Sequence, residues 1–193
     1  MVAKFNYINN EYVEFYERLG VNVFYEYKKF KNINHFLKKQ KIAASIAWFY
    51  SPEIFLKYYS MAKKYLPDAT LVYDMVDIHH LRFKRASKLD PNRISLKKNY
   101  KKYKYLELKS SKLADYVITI SEFEEDYMKQ YCDANKLITI SNIHYPKIKK
   151  EQTALFEDRK DIIFIGSAHA PNIDALYYLY NEIMPLVWQQ LPE

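Results

Sequence analysis

Residues 116–124 read YVITISEFE, and this short stretch decides the fold class. Residues 116–120 are apolar or β-branched at both odd and even positions, which predicts a strand that is covered on both faces. Ser121 and Glu124 follow with the spacing of a capping box, so a helix is expected directly after the strand. A covered strand that leads at once into a helix is typical of an α/β protein with a parallel sheet.

The same alternation extends along the chain in both directions. The pattern predicts further strands at residues 21–25, 42–49, 69–76, 137–140 and 161–165. It predicts helices at residues 11–19, 34–40, 52–65, 95–113 and 121–131, and another that opens at Pro171. Ser51 is expected to cap the helix that starts at Pro52. Strands separated by helices imply a mostly parallel sheet between helical layers.

A polar segment divides this pattern into two parts. Residues 145–158 are expected to form an interdomain linker, because they contain Pro146, several lysines and little periodicity. Residues 1–144 are predicted to form one α/β domain that is incomplete at its start. Residues 159–193 are predicted to be the first strand and helix of a second domain, which is cut short because two elements bury too little surface to fold alone.

The composition excludes several classes of protein. The chain has only two glycines, Gly20 and Gly166, so neither a dinucleotide-binding glycine fingerprint nor a phosphate-binding P-loop is present. The single cysteine, Cys132, excludes an internal disulfide and a cysteine-based zinc site. The longest apolar run, residues 42–50, is much shorter than the roughly 20 residues of a membrane span. We therefore expect a soluble, cytoplasmic protein.

The formal net charge is +7, and much of it comes from two groups of lysines. One group lies at residues 28–41 and the other, interleaved with tyrosines, at residues 97–104. Basic faces attract nucleic acid, anionic lipid or phosphorylated substrates, although a solvated lysine face explains the same pattern. No nucleic-acid-binding motif accompanies the charge, so nucleic acid is not expected as a partner.

In open α/β sheets, ligands bind beyond the carboxyl ends of the strands. Residues 73–82 read YDMVDIHHLR and place two acids, two histidines and an arginine at one such end, in a predicted loop. Histidine can donate to a phosphate or a sugar hydroxyl or relay a proton, and arginine can hold an anion. The alternative is a turn whose polar groups satisfy the backbone. Metal is not expected, because adjacent histidine side chains point apart.

Three further strand ends carry polar residues. Ser121 and Glu122 follow the strand predicted at residues 116–120, where capping accounts for most of the pattern. Residues 166–172 (GSAHAPN) combine a glycine turn with a helix amino terminus, which is a natural anion site. Residues 141–144 (SNIH) precede the linker and suit a hinge.

Taken together, these strand ends form an ordered series that carries a resemblance. In chain order the series is DMVDIH (74–79) with Arg82, ADYVITISEFE (114–124), ISNI (140–143), FIGS (164–167) and HAPNIDA (169–175). It resembles the bacterial glycosyltransferases of family four and their near relatives, which have the GT-B fold of two Rossmann-like domains. The likeness extends from about Leu19 to Pro192.

The resemblance implies a hexosyltransferase-like enzyme of polysaccharide biosynthesis that moves a sugar from a nucleotide-diphosphate sugar to a glycan or lipid-linked acceptor. Such enzymes usually retain the anomeric configuration and use neither a metal nor a cofactor. By this likeness His79 is the catalytic histidine, and its substrate-binding neighbours are Asp74, Asp77, Arg82, Ser121 and Glu122. The residues expected to bind the donor phosphates are Gly166, Ser167, His169 and Asn172.

Two departures limit the expected activity. The family's donor domain contains a later pair of glutamates and a glycine-rich turn, and its acceptor domain begins with a glycine-containing loop; none of these occurs here. We therefore expect this chain to be inactive by itself. A rival expectation is a non-catalytic basic module that binds a polyanion or the anionic inner face of a membrane, where the enzyme too would make peripheral contact.

Overall fold

The computed structural model describes residues 10–24, 32–142 and 154–191. These residues fall into two compact units, which divide the chain between Ile143 and His144. Each unit is described by itself. The predicted linker lies mostly outside the described residues.

The first unit contains six α-helices, a short 3₁₀ helix (Ala134–Lys136) and a four-stranded sheet among its described residues. The strands are β1 (Ile46–Tyr50), β2 (Thr70–Asp74), β3 (Tyr116–Thr119) and β4 (Leu137–Thr139). The helices are α1 (Asn10–Arg18), α2 (Ile33–Gln40), α3 (Pro52–Tyr65), α4 (His79–Leu89), α5 (Ile94–Leu113) and α6 (Glu122–Met128).

All four strands are parallel and stand in the order β1-β2-β3-β4. Consecutive strands are neighbours, and helices connect β1 to β2, β2 to β3 and β3 to β4. The carboxyl ends of all four strands therefore meet at one edge of the sheet. The prediction of an α/β fold with a parallel sheet is confirmed.

The core forms where β2 packs under α3. Leu71 and Tyr73 of β2 are fully buried, as is Phe55 of α3. The Phe55 ring lies 5.5 Å from that of Tyr73 and 5.4 Å from that of Phe49, which ties α3 to the first two strands. On β1 the alternate residues Ile46, Trp48 and Tyr50 share one face of the sheet and remain exposed, so this face of the edge strand is not fully covered by the described elements.

The stretch that decided the fold class behaves as predicted. Val117, Ile118 and Thr119 are all buried, as expected for a strand covered on both faces. The Ser121 hydroxyl accepts a hydrogen bond from the Glu124 amide (3.3 Å). Glu124 in turn accepts from the amide of Ile120 (3.1 Å), one residue before the cap. The helix is shorter than predicted and ends at Met128.

The prediction of a loop at residues 77–82 is wrong at its carboxyl side. His79, His80 and Arg82 lie in the first turn of α4. The residue before this helix is Ile78, which has no capping side chain. The local sequence therefore lacks the signal that usually marks a helix start.

Ser51 also departs from its prediction. Its side chain makes no cap for α3, and its hydroxyl is buried with no hydrogen-bond partner among the described residues. Ser51 has a φ of 71°, which differs from the extended backbone that N-cap residues usually adopt. Pro52 nevertheless opens the helix, as predicted.

The amino-terminal part is only partly as expected. Helix α1 agrees with the prediction, and Gly20 follows it with a φ of 77°, which glycine adopts without strain. Residues 21–23 do not form the predicted strand, and Phe24 makes only an isolated bridge. Asn22 lies in the middle of this stretch, and asparagine is depleted in strands.

In the second unit, residues 161–165 do not form the predicted strand. No strand is described in residues 154–191 that could pair with them. The predicted helix is present as α7 (Ala170–Tyr178), a π-helical turn (Leu179–Ile183) and α8 (Met184–Gln190). Pro185 explains the wide turn, because proline cannot donate the helical hydrogen bond and its ring crowds the preceding turn. The apolar residues Ile173, Leu176 and Tyr180 stay exposed.

Replacing the buried Tyr73 with phenylalanine should not destabilise the chain. The Tyr73 hydroxyl is buried without a hydrogen-bond partner among the described residues, so Tyr73→Phe removes a desolvation penalty and no bond. Its free energy of unfolding in urea should equal that of the wild type or exceed it by up to about 1 kcal/mol. Tyr127→Phe is the matched control, because the Tyr127 hydroxyl bonds His80, and it should lose about 1 kcal/mol. A larger loss for Tyr73→Phe than for Tyr127→Phe would contradict this assignment.

Candidate active site at the carboxyl edge of the sheet

Two strained residues mark the carboxyl edge of the sheet. Ser51 follows β1 with a φ of 71°, and Val76 lies two residues after β2 with a φ of 67°. A positive φ in a β-branched residue costs about 1–3 kcal/mol and persists only where the surroundings enforce it. Such residues concentrate at functional sites. The strained residues therefore indicate a candidate site at the ends of these two neighbouring strands.

Glu107 of α5 is the centre of this edge. Its side chain is fully buried, and Oε1 accepts hydrogen bonds from the amide of His79 (2.8 Å) and from His79 Nδ1 (3.1 Å). Oε2 accepts from the amide of His80 (3.2 Å) and from His80 Nδ1. The carboxylate thus supplies the cap that the sequence before α4 lacks. Its negative charge also faces the positive end of the α4 dipole.

These contacts define the protonation of both rings. Because a carboxylate only accepts hydrogen bonds, Nδ1 of His79 and of His80 each carry a hydrogen. The backbone carbonyl of Asp77, 3.0 Å from His79 Nδ1, requires the same tautomer. In the neutral form each Nε2 is therefore left with a lone pair.

The two histidines differ at Nε2. His80 is fully buried, and its Nε2 accepts a hydrogen bond from the Tyr127 hydroxyl (3.0 Å). His79 is 20% exposed in its side chain, and its Nε2 has no hydrogen-bond partner among the described residues. The His79 ring stacks on Tyr103 with centroids 5.0 Å apart, so its orientation is held from two sides. His80 is a structural residue, whereas His79 can meet a ligand.

The electrostatics favour the protonated form of His79 and the ionised form of Glu107. The hydrogen bond to Glu107 raises the pKa of His79, and burial of the ring opposes this only in part. Burial raises the pKa of Glu107, but the hydrogen bonds from His79 and His80 outweigh it and leave that pKa below its usual value. His79 can thus present a proton at Nε2 to an anionic oxygen.

Arg82 and Asp77 lie beside His79. Arg82 Nη1 is 2.9 Å from Asp77 Oδ2, and both side chains are more than one third exposed. An exposed pair of this kind contributes less than about 1 kcal/mol to stability. The guanidinium can therefore change partner to an anionic ligand without a large penalty.

Asp74 has a different surrounding. Oδ1 accepts from the amide of Val76 (3.1 Å), and Oδ2 accepts from the indole nitrogen of Trp48 (3.0 Å). Both oxygens are therefore engaged within the protein. In this structure Asp74 holds the strained turn at Val76 and links β1 to β2.

On the third strand end, Ser121 is engaged as a helix cap and Glu122 is exposed on the first turn of α6. Neither makes a contact with His79 that the structure describes. The nearby buried acid is Glu124, whose pKa is raised by burial, although the amides of Ile120 and Ile78 oppose the shift. Through Ile78, Glu124 joins the third strand end to the second.

The sequence patterns did not identify Glu53, Tyr103 or Glu107 as parts of the candidate site. A hydrogen bond to the Glu53 carboxylate raises the pKa of Tyr103 to about 12, which places the start of α3 beside the ring that stacks on His79. Burial raises the pKa of Glu53, but the hydrogen bond from Tyr103 and the charge of His79 outweigh this effect. The pKa of Glu53 is therefore below its usual value. One signal was present: Glu107 is the only acidic residue of the 20-residue helix α5 and lies on the same face as Tyr103 and Ser110.

The second unit brings together the residues expected to bind donor phosphates. A Cβ atom on Gly166 would lie 3.1 Å from the Asn172 side chain and 3.1 Å from the Phe164 ring, so only glycine fits without a shift. The Asn172 amide donates to the backbone oxygen (3.2 Å) and hydroxyl (3.4 Å) of Ser167. His169 precedes α7 and makes no side-chain cap. Gly166, Ser167 and Asn172 thus form one exposed turn at a helix amino terminus.

A larger concavity lies elsewhere in the first unit. It has a volume of about 790 Å³ and lies between α2, the outer edge of β1 and α3. Apolar and aromatic side chains such as Phe36, Trp48 and Met61 line it. Among its described lining residues there is no carboxylate, histidine, lysine or cysteine; Tyr50 and Tyr58 are the titratable ones. We therefore assign no catalytic chemistry to it.

Comparison with protein-family models, with curated proteins and with solved structures gives no match. Among the described residues, no group of three or more histidine, cysteine or acidic side chains could hold a metal ion. In the same part of the chain, no helix combines the length and the apolar character needed to cross a membrane. What the structure defines is an α/β protein with an all-parallel, Rossmann-like sheet and a histidine held at its carboxyl edge.

Glu107→Gln should strongly destabilise the chain. The glutamine amide would direct hydrogens at donors that now face an oxygen, and removing one partner of a buried charge pair costs about 3–5 kcal/mol. Urea unfolding followed by circular dichroism measures the loss. Glu122→Gln is the matched control and should change the free energy of unfolding by less than about 0.5 kcal/mol, because Glu122 is exposed. A loss below 1 kcal/mol for Glu107→Gln would contradict the central role of this carboxylate.

The stability added by His79 should depend on pH. Because the folded chain raises the pKa of His79 above its ordinary 6.5, the contribution is complete below pH 6.5 and is lost as the pH rises through the raised value. We expect the difference in unfolding free energy between wild type and His79→Asn to be larger at pH 5.5 than at pH 9. Urea titrations at both pH values measure it. A difference that is constant or grows with pH would refute the His79–Glu107 pair.

Proposed function

We propose that this chain belongs to a glycosyltransferase with a GT-B fold, which transfers a sugar from a nucleotide-diphosphate sugar to a glycan or lipid-linked acceptor. The reaction retains the anomeric configuration and uses no metal or cofactor. The observation that carries the proposal is His79 itself. Its ring is held by a buried carboxylate, and its Nε2 has no partner among the described residues at the edge where α/β proteins bind ligands.

In the proposed reaction, His79 would stabilise the charge of the leaving group. Departure of a nucleoside diphosphate develops negative charge on phosphate oxygens, and catalysis consists largely of stabilising that charge. A protonated Nε2 on His79 can donate a hydrogen bond to such an oxygen or to a hydroxyl of the transferred sugar. Glu107 keeps the hydrogen on Nδ1 and fixes the ring plane, and Tyr103 supports the opposite face.

The remaining predicted residues fall into two roles. Arg82 lies in the same turn of α4 as His79 and can add positive charge beside the departing diphosphate, with Asp77 as its resting partner. The turn formed by Gly166, Ser167 and Asn172 at the start of α7 suits a phosphate, because a helix amino terminus attracts anions. His169 adjoins this turn and could add a proton donor. Asp74, Ser121 and Glu122 would act by shaping the surrounding loops.

A second candidate is a non-catalytic basic module that binds an anionic surface. The observation in its favour is the concentration of positive charge on α4 and α5, whose eleven basic residues and one acid give +10, more than the +7 of the whole chain. This charge is compatible with both candidates, because an enzyme acting on a lipid-linked acceptor works at the inner face of a membrane. Sugar transfer separates the two.

His79→Asn should abolish most of the sugar transfer while keeping the fold. Asparagine places an amide near the position of Nδ1 and can still bond Glu107, but it has no group at the position of Nε2. In a protein that contains this chain together with a donor domain, we expect the substitution to lower kcat at least about 100-fold, which is typical when one charge-stabilising donor is removed. The assay measures transfer from a panel of radiolabelled nucleotide sugars to extracted lipid and glycan acceptors.

The controls address folding and position. Circular dichroism should show the same helix content in the variant and the wild type. Glu17→Gln, which alters an exposed residue of α1 that has no place in the proposed site, should leave kcat within about twofold. Full transfer activity in His79→Asn would refute the role of His79. An absence of transfer from every nucleotide sugar by the wild-type protein that includes a donor domain would refute the proposed function.

A further inference from the structure

Helices α4 and α5 pack against each other as a helical hairpin. The short turn at residues 90–93 joins them, with the Asp90 amide bonded to the Ala86 carbonyl and the Arg93 amide to that of Asp90. We call residues 88–98 the hairpin tip. His79 lies at the opposite end of α4 from this tip.

The excess of positive charge in this protein is concentrated in the hairpin. Residues 79–113 contain twelve lysines and arginines but only two acids, Asp90 and Glu107. Because Glu107 is buried and bound to two histidines, Asp90 is the only acid of the hairpin that solvent reaches. The whole chain has a net charge of +7, so the residues outside the hairpin are net acidic. The charge is therefore a local feature rather than a general property of the surface.

Two aliphatic side chains project from the hairpin tip. Leu89 is 88% exposed and Ile94 is 66% exposed, one on each side of the turn. Lys88 precedes Leu89 in sequence, Arg93 precedes Ile94, and Lys97 lies three residues after it; all three are exposed. Exposed aliphatic residues that are ringed by basic ones are typical of segments that enter the headgroup region of an anionic bilayer.

We propose that the hairpin tip docks this protein on an anionic lipid bilayer. Leu89 and Ile94 enter the interface, and the surrounding lysines and Arg93 contact the headgroups. Nucleic acid would attract the same basic residues but would gain nothing from two aliphatic side chains, so the tip fits a bilayer better. A merely solvated lysine face does not explain the exposed aliphatic pair either.

The docking has a consequence for the candidate active site, which rests on the proposed function. His79 and Leu89 are ten residues apart on α4, or about 15 Å along a helix with a rise of 1.5 Å per residue. A docked tip therefore holds His79 within about 15 Å of the interface. That distance suits an acceptor whose lipid anchor stays in the bilayer, rather than a free glycan.

The test is flotation of the full chain with vesicles. We expect binding to vesicles of phosphatidylcholine that contain about 30% of the anionic lipid phosphatidylglycerol. We expect little binding to vesicles of phosphatidylcholine alone. Lys97→Ala/Lys98→Ala should weaken binding roughly 25-fold, since each basic residue near an anionic surface contributes about fivefold. Leu89→Ser/Ile94→Ser should weaken it at least about tenfold.

The matched control is Lys38→Ala/Lys39→Ala, which removes the same charge from exposed positions on α2. It should leave vesicle binding within about twofold. Equal effects of the two lysine pairs, or unchanged binding of Leu89→Ser/Ile94→Ser, would overturn the docking. Binding of the protein to a single-stranded oligonucleotide, without binding to vesicles, would also overturn the docking. Flotation uses no nucleotide sugar, so it tests the docking separately from the proposed enzymatic function. If the protein binds vesicles but transfers no sugar, the proposed function is refuted and the docking stands.

Discussion

The carboxylate of Glu107 lies inside the first unit and accepts hydrogen bonds from two backbone amides and two imidazole rings at the start of α4. A buried charge is tolerated only where its hydrogen-bonding capacity is satisfied, and here four donors satisfy it. The same contacts begin a helix, fix two tautomers and leave Nε2 of His79 without a protein partner in the described chain. Helix start and candidate catalytic group therefore depend on one residue.

A second buried carboxylate, Glu124, extends this arrangement along the sheet edge. It receives the amides of Ile120 and Ile78 and so connects the end of β3 with the turn after β2. Asp74 performs a related task between β1 and the strained Val76. Acidic side chains thus hold three neighbouring strand ends together from within. Such cross-links explain how the positive φ of Val76 is maintained, because the surroundings leave the backbone no cheaper conformation.

The arrangement of charge follows the same division between interior and surface. The acids that organise the edge are engaged inside the protein, whereas lysines and arginines cover the outer faces of α4 and α5. The hairpin therefore presents a basic surface even though its own interior contains a carboxylate. This separation allows one pair of helices to hold His79 at one end and to present Leu89 and Ile94 at the other.

The sequence by itself determined the alternation of strands and helices, the buried character of β3, the Ser121 cap and the presence of a histidine at a strand end. Those features depend on neighbours a few residues apart, and such neighbours leave a local pattern. Only the tertiary structure decided that α4 begins at His79, that Ser51 is not a cap, and that residues 161–165 form no strand. It also decided which histidine is structural. The reason is the distance along the chain: Glu107 is 28 residues from His79, and a cap supplied from so far away leaves no signal in the residues that it caps.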